Sequence, residues 1–447
     1  MRGQRWVVAR RAVIATVCLL TSALCLAKNG AYRSTGHGDP TRGPQRRMDQ
    51  PAGSCMQCHD DSTGNRTPST NAFGLFAPND DNLCLTCHAL PGEAGIFPGN
   101  ASWRQSGHAL AQTKTGNRCD DCHNPHGVQD AKGVVPALLE DREPALCVKC
   151  HDGSRAADIR GQLTRSYWHG MQARGSHDPR EGSDPAKYAA IPAQNRHVEC
   201  SDCHNSHRAI KERLESDAPA ASSLLAGVSR IEVSNNAAGM APRYTYRSAD
   251  DPSPANEYEI CFKCHSGWTR QPAGQIDLAL VTNPNNPSFH PIQAAGKNPR
   301  IDPNAFAPGY AADSIITCTA CHGSDEATVA GLHGSSYRYL LKKPSGTTGK
   351  DDLCFSCHAY DVYGSPAATA DLQRASRFNG GTGHAFHVGS QNLPCSSCHE
   401  THGSTRSPFL MARNRFPGIT TYTQTPTGGT CTSSCHAAQT YTAAYPR

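Results

Sequence analysis

Nine times in its 447 residues this chain spells Cys-x-x-Cys-His, and no hydrophobic pattern in it constrains the fold as strongly. The pairs are Cys55 and Cys58, Cys84 and Cys87, Cys119 and Cys122, Cys147 and Cys150, Cys200 and Cys203, Cys261 and Cys264, Cys318 and Cys321, Cys354 and Cys357, and Cys395 and Cys398. The histidines that follow them are His59, His88, His123, His151, His204, His265, His322, His358 and His399. A further stretch at 431–436, CTSSCH, separates Cys431 from Cys435 by three residues instead of two and ends in His436. With it, every cysteine beyond residue 27 is used.

Cysteines three apart share one face of a helical turn, where both sulfurs reach the two vinyl groups of one haem. The next residue then aims its imidazole at the iron from the same side. Structural zinc uses CxxC pairs two at a time and gives no reason for a histidine after every second cysteine. A disulfide redox motif needs a thioredoxin-like βαβ context, which is absent. The repeated motif therefore reads as covalent haem c. The 431–436 stretch has two readings, a leftover disulfide or a tenth haem site. The second completes a fifth pair of motifs and requires the extra residue to bulge out of the helical turn.

Composition agrees with a core built of porphyrin. Hydrophobic residues are 37 % and aromatics 6 %, while Gly and Pro number 40 and 31, too little apolar mass for ordinary domains of this length. Ten haems leave about 42 residues each. The expected fold is mostly irregular, with short α-helices and a few short strands, wrapped around a chain of closely packed haems. The formal charge of +5 is offset by about −1 per ferric haem c. The basic clusters RGPQRR and LLKKP lack interleaved aromatics, so nucleic acid is excluded as a partner.

Residues 1–27 read as a signal peptide: a basic start, an apolar run of 16 and Cys25-Leu26-Ala27 before the cut. That run is short of the ~20 residues that span a bilayer. The expected location is the periplasm, the outer-membrane surface or the extracellular space. An N-terminal arm, 28–50, precedes a four-haem region, 51–160. A connection, 161–194, leads to a six-haem region, 195–447. In the third pair, residues around 230 and 244 alternate like a hairpin about NNAAG. RAIKERLES suggests a short helix, and the Pro- and Asn-rich stretch around His290 should lack regular structure.

The motifs fall into five pairs. The second member follows an acidic or polar run, as in DDNLCLTCH, EPALCVKCH, EYEICFKCH and DDLCFSCH. The first is often followed by another histidine: His126 in CHNPHG, His207 in CHNSH, His402 in CHETHG, and His333 after an insertion. This arrangement resembles the doubled-CXXCH cytochrome family, with residues 119–151 matching its unit best. From about 195 onward the chain is similar to multihaem electron-transfer cytochromes of metal-reducing bacteria.

Twelve histidines stand outside the motifs, against ten irons needing a sixth ligand. His126, His207, His333 and His402 are four candidates. His37, His108, His197, His290 and either His384 or His387 lie upstream of the five first motifs. The tenth comes from His169 or His177, with the unused member of the 384/387 pair behind them. Close to the start of the mature chain, His37 is otherwise a tail residue or a ligand to a haem of a neighbouring subunit. The 431–436 motif has no further local histidine.

Two imidazoles per iron leave no open position and suit electron transfer. The leading expectation is a decahaem electron-transfer protein of anaerobic respiration that passes electrons to redox partner cytochromes or external acceptors such as metal oxides. The alternatives are a multihaem reductase with one open-site haem, against which the absence of CxxCK and the histidine supply count, and a filament-forming or porin-associated subunit.

Overall fold

The computed structural model describes residues 31–59, 71–88, 103–111, 118–170, 198–210, 217–269, 271, 274–378 and 383–443. The expected leader 1–27, His177, His197 and residues 211–216 of the expected RAIKERLES helix lie outside them. The chain divides into two compact units: Met1–Lys149 with Ser206–Arg208, and Cys150–Asn205 with Ala209–Arg447.

Both units are largely irregular, with short helices and small antiparallel sheets. The two longest helices, α1 (Asp81–His88) and α2 (Glu257–His265), each end on a motif histidine. The acidic run before a second motif is therefore a helix start. In α2, Asn256 and Glu259 form a reciprocal capping box, and the acids Glu257 and Glu259 in the first turn and the bases Lys263 and His265 in the last suit the helix dipole.

In the first unit, β1 (Gln129–Asp130) pairs with β2 (Gly133–Val134). In the second, β3 (Tyr167–Trp168) pairs with β7 (Gly334–Ser335), β4 (Arg230–Ser234) with β5 (Arg243–Arg247), and β6 (Ser288–Phe289) with β8 (Gly403–Ser404). The β4–β5 hairpin is the one its alternation predicts. The stretch around His290 is not wholly irregular, because β6 finds a partner in β8. A three-stranded sheet, ordered β11-β10-β9, closes the chain with β9 (Ile419–Thr425), β10 (Gly428–Ser433) and β11 (Gln439–Thr442).

Side-chain cores are small. In the first unit Leu85, Trp103 and Ala109 cluster. In the second, Ile231, Phe262 and Ala279 join the hairpin to α2, with Tyr244, Tyr246 and Trp268 around them. The arm 31–50 is tied down: the buried Gln57 amide donates to the carbonyls of Arg47 (3.0 Å) and Pro51 (3.0 Å) and accepts from the Arg47 N–H (2.7 Å). Among the described residues no helix is long and apolar enough to cross a membrane.

Candidate haem sites

The motifs form tight turns. Residues Cys55–Gln57, Cys147–Lys149, Cys318–Ala320, Leu353–Ser356 and Cys395–Ser397 are 3-10 helical, and Cys200–Cys203 is α-helical. The histidine N–H closes each turn on the first cysteine's carbonyl: His59 to Cys55 (2.9 Å), His123 to Cys119 (2.8 Å), His204 to Cys200 (2.8 Å), His322 to Cys318 (3.0 Å), His358 to Cys354 (3.0 Å) and His399 to Cys395 (2.9 Å). This brings both sulfurs and the imidazole to one side.

The 431–436 motif departs from the expected bulged helical turn. Cys431 lies in strand β10, opposite Tyr422 and Gln439, and the register slips between Thr432 and Ser433. The extra residue is thus a β-bulge. The Ser433 hydroxyl replaces the missing carbonyl, accepting from the N–H groups of Cys435 and His436, both at 3.1 Å.

The imidazoles face one another in pairs. In the first unit ring centres lie 5.9 Å apart for His37 and His88, 6.1 Å for His59 and His126, and 6.0 Å for His123 and His207. In the second they lie 6.2 Å apart for His169 and His265, 6.0 Å for His204 and His333, 6.1 Å for His322 and His402, 6.1 Å for His384 and His399, and 6.3 Å for His387 and His436. After burial, His290 is the imidazole that most lowers the pKa of His358. Imidazole nitrogens bind metals at about 2.0–2.1 Å, so two rings on opposite sides of one metal should have centres about 6.2–6.4 Å apart. The donor set therefore fits a haem iron between each pair.

This arrangement bears on three points that the sequence left open. His384 and His387 are both used, each opposite its own motif histidine. The 431–436 motif does face an imidazole, that of His387, from further up the chain. His37 faces His88 of its own chain, so no neighbouring subunit is needed for it. His108 lies in the second repeat where His37 lies in the first, and its Nδ1 is 3.1 Å from the Ser206 carbonyl.

The pairing follows a rule of order. The histidine that trails a first motif faces the first motif of the preceding repeat: His126 faces His59, His207 faces His123, His333 faces His204 and His402 faces His322. Small bridges position these rings. Strands β3 and β7 join His169 to His333, whose carbonyl accepts the His169 N–H at 3.2 Å, and β6 and β8 join His290 to His402 in the same way at 2.9 Å. The glycine after the histidine is required by this crossing. A Cβ on Gly334 would fall on the Gln162 carbonyl, and one on Gly403 on that of Val281.

Burial keeps these rings neutral, the form that binds metal. Desolvation, followed by a facing imidazole, pushes the pKa of His333 and His402 down to about 4 and that of His384 to about 3. His169 and His207 also fall to about 4, for the same reasons in the same order.

Attachment cysteines of successive motifs are neighbours. In the first unit the Cys58 thiol, raised by burial, feels Cys87, and Cys84 hydrogen-bonds Cys119. In the second unit Cys261 meets Cys318 and Cys354 meets Cys395, while Cys321 feels Cys357 and Cys398 feels Cys431. Second cysteines approach each other within the first and fourth repeats, first cysteines approach between repeats, and in the fifth repeat Cys398 meets the first cysteine, Cys431.

Sequence reasoning missed one set of residues. Each first-motif histidine places Nδ1 against a backbone carbonyl: His59 at Phe73 (3.0 Å), His123 at Ala137 (2.9 Å), His204 at Leu224 (3.0 Å), His322 at Tyr339 (2.8 Å) and His399 at Phe409 (3.0 Å). The legible signal was a short apolar run, AFGL, PALL, SSLLA, RYLL or PFLM, downstream of each first motif.

Residues 108–156 match the doubled CXXCH motif family, and residues 246–407 match the outer membrane cytochrome MtrC/MtrF-like domains II/IV. The multiheme cytochrome MtrA of Shewanella baltica (strain OS185) is 26 % identical over 166 residues, covering 35 % of this chain and 37 % of that protein. The chain thus spans little more than a third of the relative's length. No solved structure matches it. With the repeated motifs, these likenesses support a multihaem c-type cytochrome, similar over residues 108–156 to the doubled CXXCH motif family and over 246–407 to outer membrane cytochromes.

Proposed function

We propose that the chain is a decahaem electron-transfer protein whose irons are each held between two imidazoles. The observation that carries this reading is the set of eight facing imidazole pairs, each with ring centres 5.9–6.3 Å apart. The haem supplies one-electron ferric/ferrous exchange, and the protein contributes ligands, spacing and exclusion of water. The proximal ligands are the ten motif histidines. The distal ligands are His37, His126, His207, His169, His333, His290, His402, His384 and His387, and His108 stays a candidate by its place upstream of the second pair. Cys431 and Cys435 anchor the tenth haem.

The contacts between successive attachment cysteines support a row of redox centres that follows chain order within each unit. The likeness to outer membrane cytochromes and to a multiheme cytochrome supports an exported protein at the periplasm or cell surface. There it works with redox partner cytochromes, in a porin-associated complex, and delivers electrons to external acceptors. Wrapping of short helices and loops around the haem row follows from the small side-chain clusters.

Low-temperature electron paramagnetic resonance of the oxidised, haem-loaded protein tests this reading. Only low-spin signals of imidazole pairs are expected. A stoichiometric high-spin haem that responds to nitrite or hydroxylamine would replace electron transfer with the reductase reading. Intact mass counts the haems: ten are expected, and nine with a disulfide would return Cys431 and Cys435 to a structural role.

A further inference from the structure

The carbonyls that meet the first-motif imidazoles come from unusual backbone. Phe73 (φ 59°), Ala137 (φ 54°), Tyr339 (φ 63°) and Phe409 (φ 56°) are all left-handed and none is glycine. Such a residue costs about 1–2 kcal/mol and persists only where its surroundings force it. The next residue is left-handed too: Gly74 (φ 65°), Leu138 (φ 57°), Leu340 (φ 57°) and Leu410 (φ 55°).

Two successive left-handed residues turn two carbonyls toward the motif. The first meets Nδ1. In three repeats the second accepts the N–H after the histidine, Asn124 to Leu138 (2.6 Å), Gly323 to Leu340 (2.6 Å) and Glu400 to Leu410 (2.7 Å). The chain then returns an N–H to the second cysteine's carbonyl, as from Lys342 to Cys321 at 3.0 Å and Ala412 to Cys398 at 2.9 Å. The side chains at the left-handed position are phenylalanine, alanine, tyrosine and phenylalanine, so what recurs is the backbone. The third repeat reaches the same bond from Leu224, in the 3-10 turn Ser223–Leu225, where no residue is left-handed.

We propose that these doubled left-handed turns are positioning devices that set the donor strength of the first-motif imidazoles, and so the reduction potentials of their haems. Phe73, Ala137, Tyr339 and Phe409 act through their carbonyls. The inference rests on the haem reading above. A carbonyl on Nδ1–H fixes the ring's tautomer and rotation and makes Nε2 a stronger donor, which favours ferric iron and holds the potential low.

The test compares Tyr339→Val with Tyr339→Gly in the haem-loaded full chain, by optical redox titration and electron paramagnetic resonance. Valine resists the left-handed region and glycine welcomes it. Tyr339→Val should raise the potential of one haem, with roughly tenfold less ferric preference, or about 59 mV for one electron. Tyr339→Gly should leave that potential in place. Equal shifts in both variants would make the phenol the cause and overturn the proposal, as would no shift in either. Ala137→Val and Ala137→Gly repeat the contrast at another iron with a smaller change in volume. If both valine variants lose a haem that the glycine variants keep, the turns build the site without tuning it, and the proposal falls. High-spin signals already present in the unaltered protein would count against the imidazole pairs themselves, a separate outcome.

Discussion

The fourth and fifth repeats solve the same problem in different ways. In the fourth, the rings facing its motif histidines, His402 and His290, come from distant segments tied together by β6 and β8. In the fifth, His384 and His387 come from one stretch of chain, at the start of the π-helical segment Ala385–Ser390. The difference shows what the trailing histidine is for. It faces the first motif of the preceding repeat, and for the first motif of the fifth repeat that place is taken by His384. By the same rule the first repeat needs no trailing histidine, and it has none.

Removing one ring from each repeat should break this contrast most sharply. His402→Ala takes away the ring facing His322 and also loosens the bridge that holds His290, so about two irons should turn high-spin. His387→Ala should convert only about one, because His384 keeps its own contact with Tyr363. Spin quantitation of the oxidised variants reads the difference, and equal counts would mean that the bridge does not couple the two sites. Gly403→Ala attacks the same bridge from the backbone. Its new Cβ has no room beside the Val281 carbonyl, and overpacking of this kind costs about 1–3 kcal/mol. A lowered melting temperature, with His290 and His402 signals disturbed together, is the expected result.

Much of this was legible in the sequence because covalent haem attachment needs its residues adjacent. The cysteines and motif histidines follow from local spacing alone, and the acidic run before Cys261 marks the start of α2. Distal ligands are set by contacts far apart in sequence, so their residue type could be read and their partners could not. The trailing histidines look local to their own motif, yet the crossing of β6 with β8 hands His402 to the motif before. The 431–436 stretch was misread as a bulged helix because its cysteines dominate. The surrounding threonines and the tyrosines Tyr422 and Tyr441 favour strands and decide the local structure.

A smaller effect separates the two kinds of motif turn. Ser433→Ala removes the acceptor for two N–H groups in the terminal motif, at a cost of about 0.5–1.5 kcal/mol. Amide exchange at Cys435 and His436 should quicken while the tenth haem stays attached by mass. The other turns close on backbone carbonyls, so no single side-chain change should reproduce this elsewhere.

The smallest effect is a response to acid, which should distinguish the third repeat's hairpin from the terminal sheet. Asp251 accepts from the Ser253 hydroxyl and N–H and then from Arg230 (3.0 Å), and these bonds hold its pKa down at about 2. A carboxylate depressed in the folded state adds stability above its ordinary pKa, near 3.8, and loses it as pH falls through about 2. Arg230, buried at the start of β4, connects that carboxylate to the hairpin. Residues 419–442 contain no Asp or Glu at all, so the terminal sheet lacks any such dependence. In Asp251→Asn, exchange in residues 230–247 should be faster than in the unaltered protein at pH 5, and the two should converge toward pH 2. Exchange in 419–442 should be the same in both proteins throughout. A gap in the hairpin that persisted at pH 2 would trace the effect to altered packing, and the carboxylate's charge would no longer explain it.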